Sequence, residues 1–252
     1  MEYQVYRSDL PNPSVTKTMR IGIDAHILSP EHHKHHPDIA DYTRSLLHSL
    51  LEQDKENSYV IFVDARLPKS ELDLLKKDNT EIRHFPFAQY RAYLPFFYSH
   101  MLVSSLLTAA RLDLFHSPEG LIPYLYPGKV VTTFHWVPTG ERDSNVFVNT
   151  WMLGARVGFS ALCRKASHIL LRNGKDRDIL CGVHHYPEAR AHVIQCADCK
   201  TVDWKEHVKK VLTVYKSTKK EKPIKVVVKN VNTKPSLVQR VLRFKASKNK
   251  KV

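Results

Sequence analysis

RIGIDA at residues 20–25, DIADYTRSLLHSLLEQD at 38–54 and YVIFV at 59–63 form one repeating idea. The outer two are short apolar runs of strand type. The middle one spaces Ile39, Tyr42, Leu46, Leu47, Leu50 and Leu51 three and four apart, which puts them on one stripe of an α-helix. Asp38 stands where its carboxylate can cap the first turn. Strand, helix, strand predicts two parallel neighbours joined by a helical crossover.

The alternation continues. PKSELDLLKKD (68–78) reads as a short helix, EIRHFPF (81–87) as a strand and residues 92–110 as a long helix. LDLF (112–115) and VVTTF (130–134) are strands, followed by a helix through 146–165, a strand at 168–171, a short helix at 175–181 and a strand at 191–194. Strands alternating with helices predict an α/β fold, a doubly wound parallel sheet of Rossmann type. Ligands of such sheets bind beyond the carboxyl ends of the strands. The loops that follow strands are therefore where chemistry is to be sought: SPEHHKHHPD (29–38), HSPEG (116–120) and the turn at His135.

The chain has 252 residues and a formal charge of +14. Up to residue 204 it holds 23 basic and 23 acidic side chains, and beyond it 16 basic and 2 acidic. The whole excess belongs to the C-terminal segment, so a high pI here says nothing about the fold. Four cysteines, and a start with neither a basic nor an apolar leader segment, predict a reducing, cytoplasmic setting. Cys196 and Cys199 form a C-x-x-C, but no second pair stands at metal-ligand spacing, which favours free thiols. Residues 92–110 carry no formal charge, yet Pro95, Ser99, His100, Ser104, Ser105 and Thr108 dilute them, so a buried or membrane-surface helix is expected rather than a span. The four histidines at 32, 33, 35 and 36 suit a transition metal by type. They lack ordered spacing and a nearby cysteine, and read as a solvated, flexible insertion. The expectation is no metal and no bound cofactor.

Five segments resemble, in order and spacing, the N-terminal domain of family 4 glycosyltransferases of the GT-B fold. They are MRIGIDAH (19–26), DYTRSLLHSLLEQD (41–54), SYVIFV (58–63), DLFHSPEGLIP (113–123) and KVVTTFHWVP (129–138), and the resemblance covers residues 19–196. It implies one half of a two-domain cleft: an acceptor-side domain facing a donor domain that holds a nucleotide sugar, with metal-free electrostatic stabilisation of the leaving diphosphate. His135 matches the family's histidine after the fifth strand and is the catalytic candidate beside the reacting sugar. His116 is a candidate to contact acceptor, and Glu119 in the same loop and Asp24 at the end of the first strand are further substrate-binding candidates. For each there is a plain alternative, a loop side chain bonding nearby backbone.

The sequence also departs from that family. Trp136 stands where aspartate is preferred and His26 where arginine is preferred, and no glycine occurs between Gly22 and Gly120 or after Gly182. Two glutamates spaced eight apart, which mark the family's donor domain, do not occur. Residues 203–217, DWKEHVKKVLTVYKS, look like the family's closing helix, with Trp204, Val208, Val211, Leu212 and Tyr215 on one face. The expected organisation is an N-terminal lead (1–18), the glycosyltransferase-like domain (19–200), the closing helix (201–217) and a basic tail (218–252). The tail ends in a basic amphipathic segment, SLVQRVLRFKASKNKKV (236–252), which reads first as a solvated lysine-rich end and next as a segment that adsorbs to anionic lipid, a reading that puts the chain peripherally at the inner membrane face. Its aromatics are not interleaved with its lysines, which disfavours nucleic acid. The reading is a glycosyltransferase-related half, inactive alone, whose donor domain is deleted or supplied by a separate polypeptide and whose acceptor is a sugar or a lipid-linked sugar. The rival is a non-catalytic Rossmann-like binding module anchored by the tail.

Overall fold

Seven parallel strands in the order β3-β2-β1-β4-β5-β6-β7 carry the chain. The computed structural model describes residues 18–84, 96–123, 125–138, 159–194 and 201–220, with backbone alone at 96–100 and 161. β1 (Arg20–Asp24) lies beside β2 (Ser58–Val63), which pairs with β3 (Thr80–His84). The chain then crosses back to β4 (Leu114–Ser117) on the other side of β1, and proceeds outward through β5 (Val130–Phe134), β6 (His168–Leu171) and β7 (Ala191–Val193). The order reverses between β1 and β4, which makes that crevice the topological switch point of a Rossmann-like sheet.

Because strand side chains alternate between faces, each strand serves two cores. One face presents Ile21, Ile23, Tyr59, Ile61, Leu114, Val131 and Leu170 to α2 (Pro37–Gln53) and to the last helix of the described residues, α7 (Trp204–Lys220). The other presents Val60, Phe62, Phe115 and Val130 to α4 (Phe96–Ala109), and Phe134, Ile169 and Leu171 to α5 (Phe159–Cys163) and α6 (Gly174–Gly182). Two short helices, α1 (Pro30–His35) and α3 (Lys69–Leu75), complete the α-helices among the described residues. Gly22 is required on the second face: a Cβ there would stand 2.4 Å from Leu112 Cδ1 and 3.0 Å from Phe62 Cε2.

All six apolar positions of the α2 stripe are buried, as their spacing predicts. α7 docks beside it through Val208, Val211, Val214 and Tyr215, each buried and each worth about 1.5–3 kcal/mol of apolar burial. Trp204 and Leu212 pack partly buried against the same core. Lys129 Nζ ties the end of α7 to the sheet by donating to the carbonyls of Thr218 (2.7 Å) and Lys219 (2.8 Å), orphan groups at a helix C-terminus that favour a cation.

Several expectations are corrected. Asp38 does not cap α2: Pro37 takes the first helical position and His36 the cap, without a side-chain bond, because proline has no N–H to lose and is preset for that position. The four-histidine segment is not a loose insertion. Pro30 starts a helix there, α1, and His26 and His32 meet edge to face at 5.3 Å. β4 begins two residues later than expected, since Asp113 is used to accept from the Arg20 amide (2.8 Å) and the ladder with β1 opens at Ile21 and Leu114. The helix expected over 146–165 is described only at Phe159–Cys163. The N-terminal lead to residue 17, the pair Cys196 and Cys199 and the tail from 221 lie outside the described residues. Cys163 and Cys181 are free thiols, both pushed up by burial. Among the described residues no helix is long and apolar enough to cross a membrane.

Candidate functional site

The carboxyl ends of β1, β4 and β5 bring Asp24, His26, Glu119 and His135 to the switch point. Asp24 is the last residue of β1, and the chain turns at once into a 3-10 turn at His26–Leu28. That turn folds His26 back so that its Nδ1–H donates to Asp24 Oδ1 at 2.5 Å. Glu119 arrives from the loop after β4, where Gly120 adopts φ 92, a left-handed turn open to glycine. Its Oε2 lies 3.1 Å from His26 Nε2. His26 is therefore clamped between two carboxylates, with side chains only 2%, 5% and 10% exposed for His26, Asp24 and Glu119. Burial opposes its charge, but the two carboxylates and their hydrogen bonds outweigh burial and hold His26 well above the ordinary histidine value. It is an imidazolium at neutral pH.

His135 follows β5 and behaves in the opposite way. Its Nε2–H donates to the Pro118 carbonyl at 2.7 Å, and its ring meets Tyr42 of α2 edge to face at 5.0 Å. Burial, helped by nearby Arg172 and opposed by the Pro118 carbonyl, Glu119 and Asp38, lowers its pKa to about 4. The ring is neutral at pH 7. With the proton on Nε2, Nδ1 carries a lone pair, and that atom is buried with no hydrogen-bond partner among the described residues. Asp24 Oδ2 is in the same condition. Two buried acceptors thus stand at the carboxyl edge, on strands either side of β4, each demanding a donor.

His116 takes a different place. It lies within β4 rather than in the loop after it, on the face covered by α7, and is fully buried. Its Nδ1 is bonded to the Tyr215 hydroxyl (2.6 Å) and its Nε2 to Thr133 Oγ1 (3.0 Å). Burial, with His207 adding, lowers its pKa to about 3. It is a neutral ring locking α7 to β4 and β5, with an internal partner on each nitrogen. Tyr42 extends the same interface: its hydroxyl meets His207 Nε2 at 3.2 Å and its ring touches Trp204 and His207.

Three of the four sequence candidates, Asp24, Glu119 and His135, are brought to one edge, and the fourth is drawn into the core. His26 was visible in the sequence only as a departure from an expected arginine. The signal for it was a D-x-H at a strand end, but its second carboxylate is 93 residues away and only the adjacency of β1 and β4 brings the two together. Among the described residues, the histidines of α1 included, no group of three or more His, Cys, Asp or Glu side chains is arranged to hold a metal ion.

No family model matches the chain, and no curated protein matches its sequence. Among solved structures it is similar to a glycosyltransferase from Rickettsia africae ESF-5, with 14% identity and a TM-score of 0.39 over 79% of this chain and 50% of that one. The chain thus spans half the length of that protein.

Proposed function

We propose that this chain is the acceptor-side half of a family-4-like glycosyltransferase, holding a sugar or lipid-linked sugar at the carboxyl ends of β1, β4 and β5. The observation that carries the reading is the pair of buried, unpartnered acceptors, Asp24 Oδ2 and neutral His135 Nδ1. Sugar hydroxyls are donors of the kind they lack, and buried polar groups without partners cost about 1–3 kcal/mol each until one arrives. The strand order and the five sequence segments that resemble the family support the same assignment.

In transfer, an acceptor hydroxyl bonds to the anomeric carbon of the donor as the bond from that carbon to the nucleotide diphosphate breaks. His135 Nδ1 is the group suited to take the hydroxyl proton. Asp24 and Glu119 orient the acceptor, and His26 holds both carboxylates in place. Holding the diphosphate falls to a second polypeptide or a further domain, because no glycine follows Gly182 to let backbone approach phosphate closely. Transfer and hydrolysis of UDP-glucose and GDP-mannose, assayed with the purified chain alone and with the product of a neighbouring reading frame, test the enzyme reading. Turnover with the second polypeptide and none without it is expected. No turnover in either case leaves a non-catalytic sugar-binding module, the second reading, which the internal bonding of His26 and His116 favours.

A further inference from the structure

At the far edge of the sheet a groove of about 380 Å³ runs along β7, between α6 and α7. β7 alternates its backbone groups. Ile194 donates inward to the Leu171 carbonyl (2.9 Å), and His192, two residues back, shares that side. The N–H and C=O of Val193, and the C=O of Ala191, therefore point away from the sheet, while the Ala191 N–H is spent on Glu188. Val193 has no hydrogen-bond partner beyond β7 among the described residues. The groove wraps the edge, with Val193 of β7 and Arg177 of α6 toward one face and His192 of β7 with Lys210 and Val214 of α7 toward the other. No carboxylate lines it. Glu188 reaches Arg177 only through Nη2, at 3.5 Å, from a side chain 76% exposed. Arg177 Nε is buried and has no hydrogen-bond partner among the described residues.

We propose that this groove receives an extended, acidic peptide segment of a partner protein, added as an eighth strand along β7. Strand addition satisfies the outward backbone groups, and alternate side chains of the guest fall toward Val193 and Arg177 on one face and toward Val214 and Lys210 on the other. Charge selects the occupant. A second copy pairing edge to edge would set Arg177 and Lys210 against their own equivalents, and like charges across an interface oppose docking. The site lies on the edge strand β7, separated from β5 by β6, and is independent of the sugar reading.

The probe is a synthetic peptide alternating valine and glutamate, with a valine-lysine peptide as control. Acidic peptide is also attracted without specificity to the lysines beyond residue 204, so the deciding readouts are local. The full chain is titrated by fluorescence anisotropy, and amide exchange at Val193 is followed by mass spectrometry or NMR. Saturable binding of the acidic peptide, slowed exchange at Val193, and a loss of about tenfold in affinity in the double variant Arg177→Glu, Lys210→Glu are expected. Lys210 is exposed and Arg177 half-buried, and circular dichroism checks that the double variant folds. Arg177→Lys with Lys210→Arg, which keeps the charge, should retain binding. Binding that leaves Val193 exchange unchanged, binding indifferent to the double variant, or no saturable binding overturns the proposal. So does slowing of Val193 with protein concentration in the absence of peptide, which would assign the edge to a second copy.

Discussion

Replacing His26 with glutamine removes the positive charge held between Asp24 and Glu119, and the structure sets both the size and the pH dependence of the loss. The two carboxylates lie 2.5 and 3.1 Å from the ring and are almost wholly buried. Breaking a buried ion pair by deleting one partner costs about 3–5 kcal/mol, because the remaining charge is left without compensation. The pH dependence follows from linkage. The folded His26 holds its proton well above the ordinary value of 6.5, so its contribution is complete below that value and is lost as pH rises toward the folded one. In that window the folded state binds one proton more than the unfolded state, and stability falls by about 1.4 kcal/mol per pH unit. Above the ordinary value the wild-type chain therefore loses this contribution progressively as pH rises toward the folded value. Urea denaturation of the two proteins at about pH 6, 7 and 8 measures it. The gap between them should be widest at about pH 6 and narrow steadily above it. A gap that is constant with pH, or below about 1 kcal/mol at pH 6, refutes the clamp.

Four other histidines act with the opposite sign. His116, depressed to about 3, and His135, His168 and His207, each depressed to about 4, are neutral when folded and take up protons on unfolding below 6.5. Stability should fall as pH drops from 6.5 toward 4, giving the wild type a maximum near 6.5; a urea midpoint that is flat over this range contradicts it. Tyr215→Phe strands one nitrogen of buried His116 and should cost about 1–3 kcal/mol in thermal unfolding, whereas an unchanged melting temperature would show that the 2.6 Å bond carries nothing. The basic tail is proposed to adsorb to anionic lipid. Flotation with phosphatidylserine vesicles should fail when residues 235–252 are removed and weaken in high salt, and binding insensitive to both changes removes the anchor.

Much of the fold is legible because both-face burial leaves a plain mark. SYVIFV, VVTTF and HILL are continuous apolar or β-branched runs, and they are β2, β5 and β6. The α2 stripe is equally direct, since one face of a 17-residue helix must repeat at helical spacing to be buried. The misses have local causes. Pro30 opens a helix where histidine-rich polarity suggested a loop, and Pro37 rather than Asp38 starts the expected helix, because proline is preset for the first helical position. His116 reads as a loop residue because the apolar run LDLF ends at Phe115, whereas β4 continues to Ser117 with His116 paired to Ile23 and Val131, neighbours that no local pattern encodes. The site was half legible for the same reason. Asp24, Glu119 and His135 stand out as polar residues ending strands, whereas the role of His26 exists only once β1 and β4 are neighbours.

Binding at the switch point is tested most directly by histidine-ring NMR of the full chain during titration with methyl glycosides of glucose, mannose and galactose, beside the His135→Ala variant. At least one glycoside should shift the His135 ring signals saturably, report a bond at Nδ1, and lose its binding in the variant, while the His116 signals stay fixed. Glycosides that leave His135 unmoved, or that bind the variant as well as the wild type, would contradict the assignment of Asp24 and His135 to a sugar.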